Sequence, residues 1–272
     1  MKKTIKNKIV DVAIVAFLVL TVLFEFVEID ICANDLHNGF LQKILALVFG
    51  TVAVYAVMLR INVKLFSKPE KILFFLPCLV VAVNNFQFCS YFSGNMTLVH
   101  NGFWDFFLFA IYCIAVGLFE EGVFRGVITP LIASFFPNNK KGLWCTFILS
   151  SVVFGCVHLF NLFSGAGFVG TILQVGYSIL TGGLFTFVLF KTKNIFLCAF
   201  THAIYNFGGQ LFSPQGLGAG VVFDAPTAWC MAVIGVIVGV FVLISVAKYS
   251  SEEQAKLYEE FGITAKKQAE DV

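Results

Sequence analysis

Charge is what this chain has least of. Lysine, arginine, aspartate and glutamate make up 12% of its 272 residues, about half the share found in soluble domains. That scarcity excludes an ordinary water-soluble fold. Neither sign is in excess, since the formal net charge is +2, so the chain has no basic surplus to hold nucleic acid. Its eight cysteines (Cys32, Cys78, Cys89, Cys113, Cys145, Cys156, Cys198 and Cys230) show no CxxC or zinc-ribbon spacing. This argues against a disulfide framework or a structural metal site and predicts small buried hydrophobes instead. HExxH is absent as well, and there is neither a domain linker nor a clear internal repeat.

What fills the chain is hydrocarbon: 59% of its residues are hydrophobic and the mean hydropathy is +0.90. Apolar runs cover roughly residues 9–29, 41–61, 72–92, 104–128, 143–163, 168–190, 195–212 and 227–247. Each is near the ~20 residues that cross a hydrocarbon core. The first run follows Lys2, Lys3, Lys6 and Lys8 as in a signal peptide. It is too long for such a segment and no A-x-A-like site follows it, which predicts a retained span.

The loops test the count. With the N-terminus in the cytoplasm, the inner segments carry sixteen of the eighteen lysines and arginines. The outer loops carry Asp30, Asp35, His37, His100 and Asp224. This alternation follows the positive-inside rule. The expected fold is therefore all-α, a polytopic transmembrane helical bundle of about eight spans with both termini cytoplasmic. Residues 1–103 would supply three spans, 104–212 a central core, 213–249 an outer loop and the last span, and 250–272 a charged cytoplasmic tail. Pro69 suits the opening of the third span, Pro77 predicts a kink within it, and Pro130 would separate the fourth from a short interfacial piece. Ser250 and Glu253 stand at capping-box spacing, predicting a solvated tail helix. Glu25 and Glu28, near the outer end of the first span, have no evident role.

Charges inside apolar spans point by default to function. Glu120 and Glu121 are adjacent in the fourth span, and Arg125 lies four residues after Glu121, on the same face of an α-helix. Glu120 points about 100° away, so its partner has to come from another span. His158 in the fifth and His202 in the seventh are the candidates, with Asn206 one turn after His202. Polar groups on three helices should converge on an interior cavity rather than face lipid. Gly117, Gly122, Gly126 and Gly155 would let those helices approach closely. A carboxylate, two imidazoles and a carboxamide form an outfit for hydrolysis: Glu120 and His158 deprotonate a water, His202 and Asn206 donate to the oxyanion, and Glu121 with Arg125 holds the helix. At ~1.5 Å per residue, however, His202 lies about 10 Å into its run and His158 about 22 Å into its own. A shared depth would need the fifth helix to start lower or to tilt.

In order, Glu120-Glu121-x-x-x-Arg125, Phe154-x-x-x-His158 and His202-x-x-x-Asn206 resemble the motifs of the CPBP family of CAAX proteases and bacteriocin-processing enzymes, which includes the type II CAAX prenyl endopeptidase. The resemblance covers about residues 104–212. It implies an eight-helix intramembrane endopeptidase open to the cytosolic side, with Glu120, His158, His202 and Asn206 catalytic and Glu121, Arg125 and Phe154 supporting them. It also implies a glutamate-dependent attack on a peptide bond without a cofactor. Two histidines and a glutamate are also the ligands of several catalytic zinc sites, so a zinc-dependent version is the rival within this reading. The expected partners are a membrane-associated peptide or protein substrate and the lipid bilayer. The substrate is a prenylated CAAX protein, a leader peptide or a bacteriocin met in self-immunity, and nothing in the residues separates these or sets the oligomeric state. The 34 phenylalanines and many lysines and isoleucines suit a bacterial plasma membrane. The other class of function is a transporter, or a non-catalytic immunity or scaffold protein.

Overall fold

The computed structural model describes residues 2–28, 30–220 and 225–263, and the side chain of Glu25 lies outside what it describes. The chain is an all-α membrane protein. Its helices are α1 (Lys2–Phe26), α2 (Asp35–Arg60), α3 (Phe75–Asn84), α4 (Phe88–Phe92), α5 (Phe103–Glu121), α6 (Thr129–Ser134), α7 (Lys140–Cys156), α8 (Phe168–Thr192), α9 (Ile195–Gln210), α10 (Ala225–Ala247) and α11 (Ser251–Glu260). Two short strands, β1 (Met96–Leu98) and β2 (Gly218–Gly220), pair antiparallel with Thr97 opposite Ala219. Among the described residues, six stretches are long and apolar enough to cross a membrane: Asp35–Arg60, Ile72–Phe92, Phe103–Ser134, Lys140–Leu162, Phe168–Thr192 and Ala225–Ala247. The described apolar part of α1 is Val10–Phe24. The 16 residues of α9 rise only about 24 Å, short of a ~30 Å hydrocarbon core.

The chain forms two compact units, each built from three separated stretches. The first comprises Met1–Arg60, Leu79–Gly122 and Ala199–Gly235. Its core gathers Phe40, Met96, Phe109, Cys113, Leu211, Phe212 and Leu217, with the rings of Phe109 and Phe207 5.0 Å apart. The pairing of β1 with β2 depends on Gly218, where a Cβ would come within 2.6 Å of the carbonyl oxygens of Phe212 and Thr97.

The second unit comprises Ile61–Cys78, Val123–Cys198 and Val236–Val272. Here α11 packs down rather than standing in solvent, which corrects the solvated tail helix expected from the sequence. The expected capping box forms, with Glu253 N–H donating to Ser250 Oγ and Ser250 N–H to Glu253 Oε2. Gln254, Leu257, Tyr258 and Phe261 recur at helical spacing and are buried, so a charged helix still has one apolar stripe to cover. Glu253 accepts a hydrogen bond from Lys71, and Gln254 donates to the Asn139 carbonyl at 2.7 Å.

Proline acts only in part where the sequence predicts. Pro77 lies in the first turn of α3, where its missing N–H costs nothing. The break falls instead at residues 85–87, between α3 and α4. Pro130 stands in the first turn of the short helix α6, as expected, but does not interrupt the helical run, which continues from Phe103 to Ser134. Residues Gly122–Ile128 form a π-helix, whose i→i+5 register changes the backbone ladder just before the proline. Thr129 Oγ1 donates to the Phe124 carbonyl there at 2.8 Å. All eight cysteines are free, but only Cys78, Cys113 and Cys198 are buried. Cys89, Cys156 and Cys230 lie on exposed surfaces, against the expectation of a uniformly buried set.

Candidate active site

In the first unit, α5 and α9 meet backbone to backbone at Gly117. A Cβ there would come within 2.5 Å of the Ala199 carbonyl oxygen and 3.2 Å of the Ala203 nitrogen. Only glycine allows this approach, and it brings the last turn of α5 against the histidine of α9. Further along, Asn85 Nδ2 donates to the Tyr205 carbonyl at 2.7 Å and Gln87 Nε2 to the Gly209 carbonyl at 3.2 Å. The break between α3 and α4 thus holds α9 by its backbone. The side chain of Phe86 and that of Asn85 fill the space where a Cβ at Gly208 or Gly209 would stand.

The two glutamates share one imidazole. His202 Nδ1 is 2.8 Å from Glu121 Oε1, and His202 Nε2 is 3.7 Å from Glu120 Oε2. A ring has two nitrogens on opposite edges, so carboxylates about 100° apart on α5 can both face it. What separates the acids is access. The Glu121 side chain is 0% exposed and that of Glu120 30% exposed, so one is sealed and the other reachable. At 2.8 Å Glu121 is a direct, charge-assisted partner that orients the ring. The 3.7 Å on the other side exceeds hydrogen-bond length and is the separation at which a bridging water becomes relevant. Asn206 is half-buried one turn along α9 from His202.

In the second unit, Arg125 lies in the π-helix and is fully buried. Its Nη2 donates to the Gly182 carbonyl at 3.0 Å, and its guanidinium stands 4.5 Å from the centre of the Phe154 ring and 5.6 Å from that of Phe185. Cation–π contact at that range offsets part of the cost of burying the charge. Phe154 meets His158 edge to face, ring centres 5.8 Å apart. His158 lies past the end of α7, in the 3-10 turn Val157–Leu162. Its Nδ1 is 3.3 Å from Gln174 Nε2, and Asn161 Nδ2 donates to Gln174 Oε1 at 2.9 Å. Gly155 lets α7 and α8 touch, since a Cβ there would come within 2.8 Å of the Val175 carbonyl oxygen.

The geometry therefore brings Glu120, Glu121 and His202 together in one unit, and Arg125, Phe154 and His158 together in the other. Residues 102–208, which hold every one of these groups, match the family model described as Type II CAAX prenyl endopeptidase Rce1-like. That stretch is thus similar to a CAAX protease-family domain. No curated protein and no solved structure matches the chain. Within the Rce1-like domain, sequence reasoning missed the direct bond from Glu121 to His202 and the amides Asn161 and Gln174; outside it, the same reasoning missed Asn85 and Gln87. Each missed amide stands in or beside an apolar run, and that placement was the available signal. Among the described residues, no group of three or more histidine, cysteine, aspartate or glutamate side chains is arranged to hold a metal ion.

Proposed function

We propose that this protein is an intramembrane endopeptidase that hydrolyses a peptide bond of a membrane-associated peptide or protein, with Glu120 as the base. The observation that supports it is the pair of acids on His202: one sealed and hydrogen-bonded, one reachable, inside an Rce1-like domain. Glu120 takes a proton from water, and the oxygen left behind attacks the scissile carbonyl. His202 and Asn206 donate hydrogen bonds to the oxyanion, a contribution of about 10²- to 10³-fold per donor. Glu120 then returns the proton to the departing amine. His158 shares in activating the water, an assignment carried by the ordered motifs, and Glu121, Arg125 and Phe154 support these groups. No cofactor enters this scheme.

The same reading places eight spans in a bacterial plasma membrane, α1 and α9 among them, with both termini and the opening of the site on the cytosolic side. Substrates of the right chemistry are CAAX-type proteins, leader peptides and bacteriocins, the last giving self-immunity. Glu120→Gln keeps the size and hydrogen bonding of the side chain but cannot take a proton. In proteoliposomes it should lower peptide cleavage by about 10²- to 10⁴-fold, the usual contribution of a general base. Cleavage at the wild-type rate would remove Glu120 from the chemistry and leave a transport or scaffold function.

A further inference from the structure

Gln174 is a carboxamide in the apolar stretch of α8, with Ile172 and Leu173 before it and Val175 and Gly176 after it. It lies between two partners. Asn161 Nδ2 donates to its Oε1 at 2.9 Å, and its own Nε2 lies 3.3 Å from Nδ1 of His158. A carboxamide whose oxygen faces one neighbour presents its N–H groups to the other. Nδ1 of His158 is thus the acceptor, and the proton of the neutral ring resides on Nε2. Phe154, edge to face with the same ring, holds its plane.

We propose that Gln174 is a positioning residue which, itself anchored by Asn161, fixes His158 in the Nε2–H tautomer and so makes this ring a hydrogen-bond donor in the reaction. The role rests on the protease reading and sharpens it. The share of His158 in activating the water is then that of a donor, which holds the water's oxygen through Nε2–H, while Glu120 takes the proton. The second-unit elements packed around His158, α7 and α8, carry as ionisable groups Cys145, Cys156 and Tyr177, with Lys140, Lys141 and Lys191 at the far ends. At Nδ1 itself the facing group is the Gln174 amide.

The test reads the tautomer and the activity separately. In full-length protein labelled with ¹⁵N-histidine in nanodiscs, the His158 signals are assigned by their loss in His158→Gln. At a pH where the ring is neutral, wild type should show Nδ1 unprotonated and Nε2 protonated. Gln174→Glu, whose carboxylate accepts from Nδ1–H, should reverse this, and Gln174→Leu should give a mixture. In proteoliposomes Gln174→Leu should lower kcat on the order of 10-fold with KM little changed, the scale of losing a partner that orients a functional histidine. Gln174→Glu should lose activity selectively on the alkaline side of the pH profile, where its neutral ring no longer presents Nε2–H. A role in packing alone would scale the rate equally at every pH. A protonated Nδ1 in the wild-type spectrum overturns the proposal whether or not the variants fold, as does a tautomer unchanged in folded Gln174→Glu. Cleavage that survives Glu120→Gln would instead overturn the protease reading and leave the tautomer to be judged by the spectrum.

Discussion

Replacing Glu121 by glutamine removes one charge and almost nothing else. The side chain is fully buried and its Oε1 lies 2.8 Å from Nδ1 of His202, so glutamine fills the same space and still accepts from the ring. A hydrogen bond to a charged group is worth about 1.5–3 kcal/mol net, against about 0.5–1.5 kcal/mol for a neutral one. The exchange therefore takes roughly 1–2 kcal/mol from whatever holds the imidazole in place. At 1.36 kcal/mol per decade, kcat should fall about 5- to 30-fold if that orientation matters in the transition state. KM should change little, because Glu121 is sealed from anything that binds. The assay is cleavage of a fluorogenic membrane peptide in proteoliposomes, with Glu120→Gln alongside as the far larger loss. A Glu121→Gln enzyme within twofold of wild type would refute the view that the buried carboxylate acts through His202. A loss as large as that of Glu120→Gln would refute the division of labour between the two acids.

Gly117→Val should disconnect α5 from α9, because its Cβ would stand 2.5 Å from the Ala199 carbonyl oxygen. Overpacking of this kind costs about 1–3 kcal/mol, and cleavage should fall with a lowered melting temperature, while Gly117→Ala should be milder in both. Burial acts against the charge of Glu253, but the Lys71 hydrogen bond, the Ser250 N–H and the charges of Lys191 and Lys71 hold its pKa at about 2, from an ordinary 4.5. A folded pKa below the unfolded one means stability present above pH 4.5 and lost as the pH falls toward 2. After solvent screening this is about 1–2 kcal/mol, so the protection of α11 amides, corrected for the intrinsic pH dependence of exchange, should fall on the order of 10-fold across that window and change little there in Glu253→Gln. Exhaustive chelation should leave cleavage intact under the glutamate mechanism. Activity lost on chelation and restored by zinc would replace that mechanism with a metal-dependent one.

Hydropathy alone marked the membrane class and most of the helices, because a long apolar run has few alternatives to spanning a bilayer. The arrangement within the spans was harder to read. That Glu120 needs a partner from another helix followed from the 100° step per residue, and α9 supplies it in His202. That Glu121 shares the same ring did not follow, because the spacing to Arg125 suggested a partner on its own helix. The helical run also changes register there, to a π-helix at Gly122–Ile128. Nothing in the periodicity of apolar residues announces such a register change, and Pro130 was read as a stop for the same reason. The tail misled in a different way. Its charge suggested solvent, whereas Leu257, Tyr258 and Phe261 needed only one stripe of cover. His158 was legible as a polar residue in an apolar run, but its 3-10 setting and amide partners depend on tertiary contacts.

The π-helix begins one residue after Glu121, and that placement bears on why two adjacent acids differ in exposure. In an uninterrupted α-helix, the last turn of α5 would pass its carbonyls on to residues 122–125 in regular i→i+4 steps. The wider turn instead changes the ladder just where the charged residues are concentrated, and such bulges are rare and recur at functional sites. Upstream, Gly117 fixes α5 against α9 so closely that Glu121 is sealed onto His202. Downstream, Arg125 is held by the Gly182 carbonyl and the Phe154 ring. The segment between these anchorages contains both glutamates, yet only Glu120 keeps a side chain 30% exposed. Reversing the two acids is therefore not a neutral exchange of like for like. The sealed position demands a group that can remain buried against an imidazole, the exposed one a group that can meet water. This asymmetry, rather than the mere presence of two carboxylates, is what supports the proposal of Glu120 as the base.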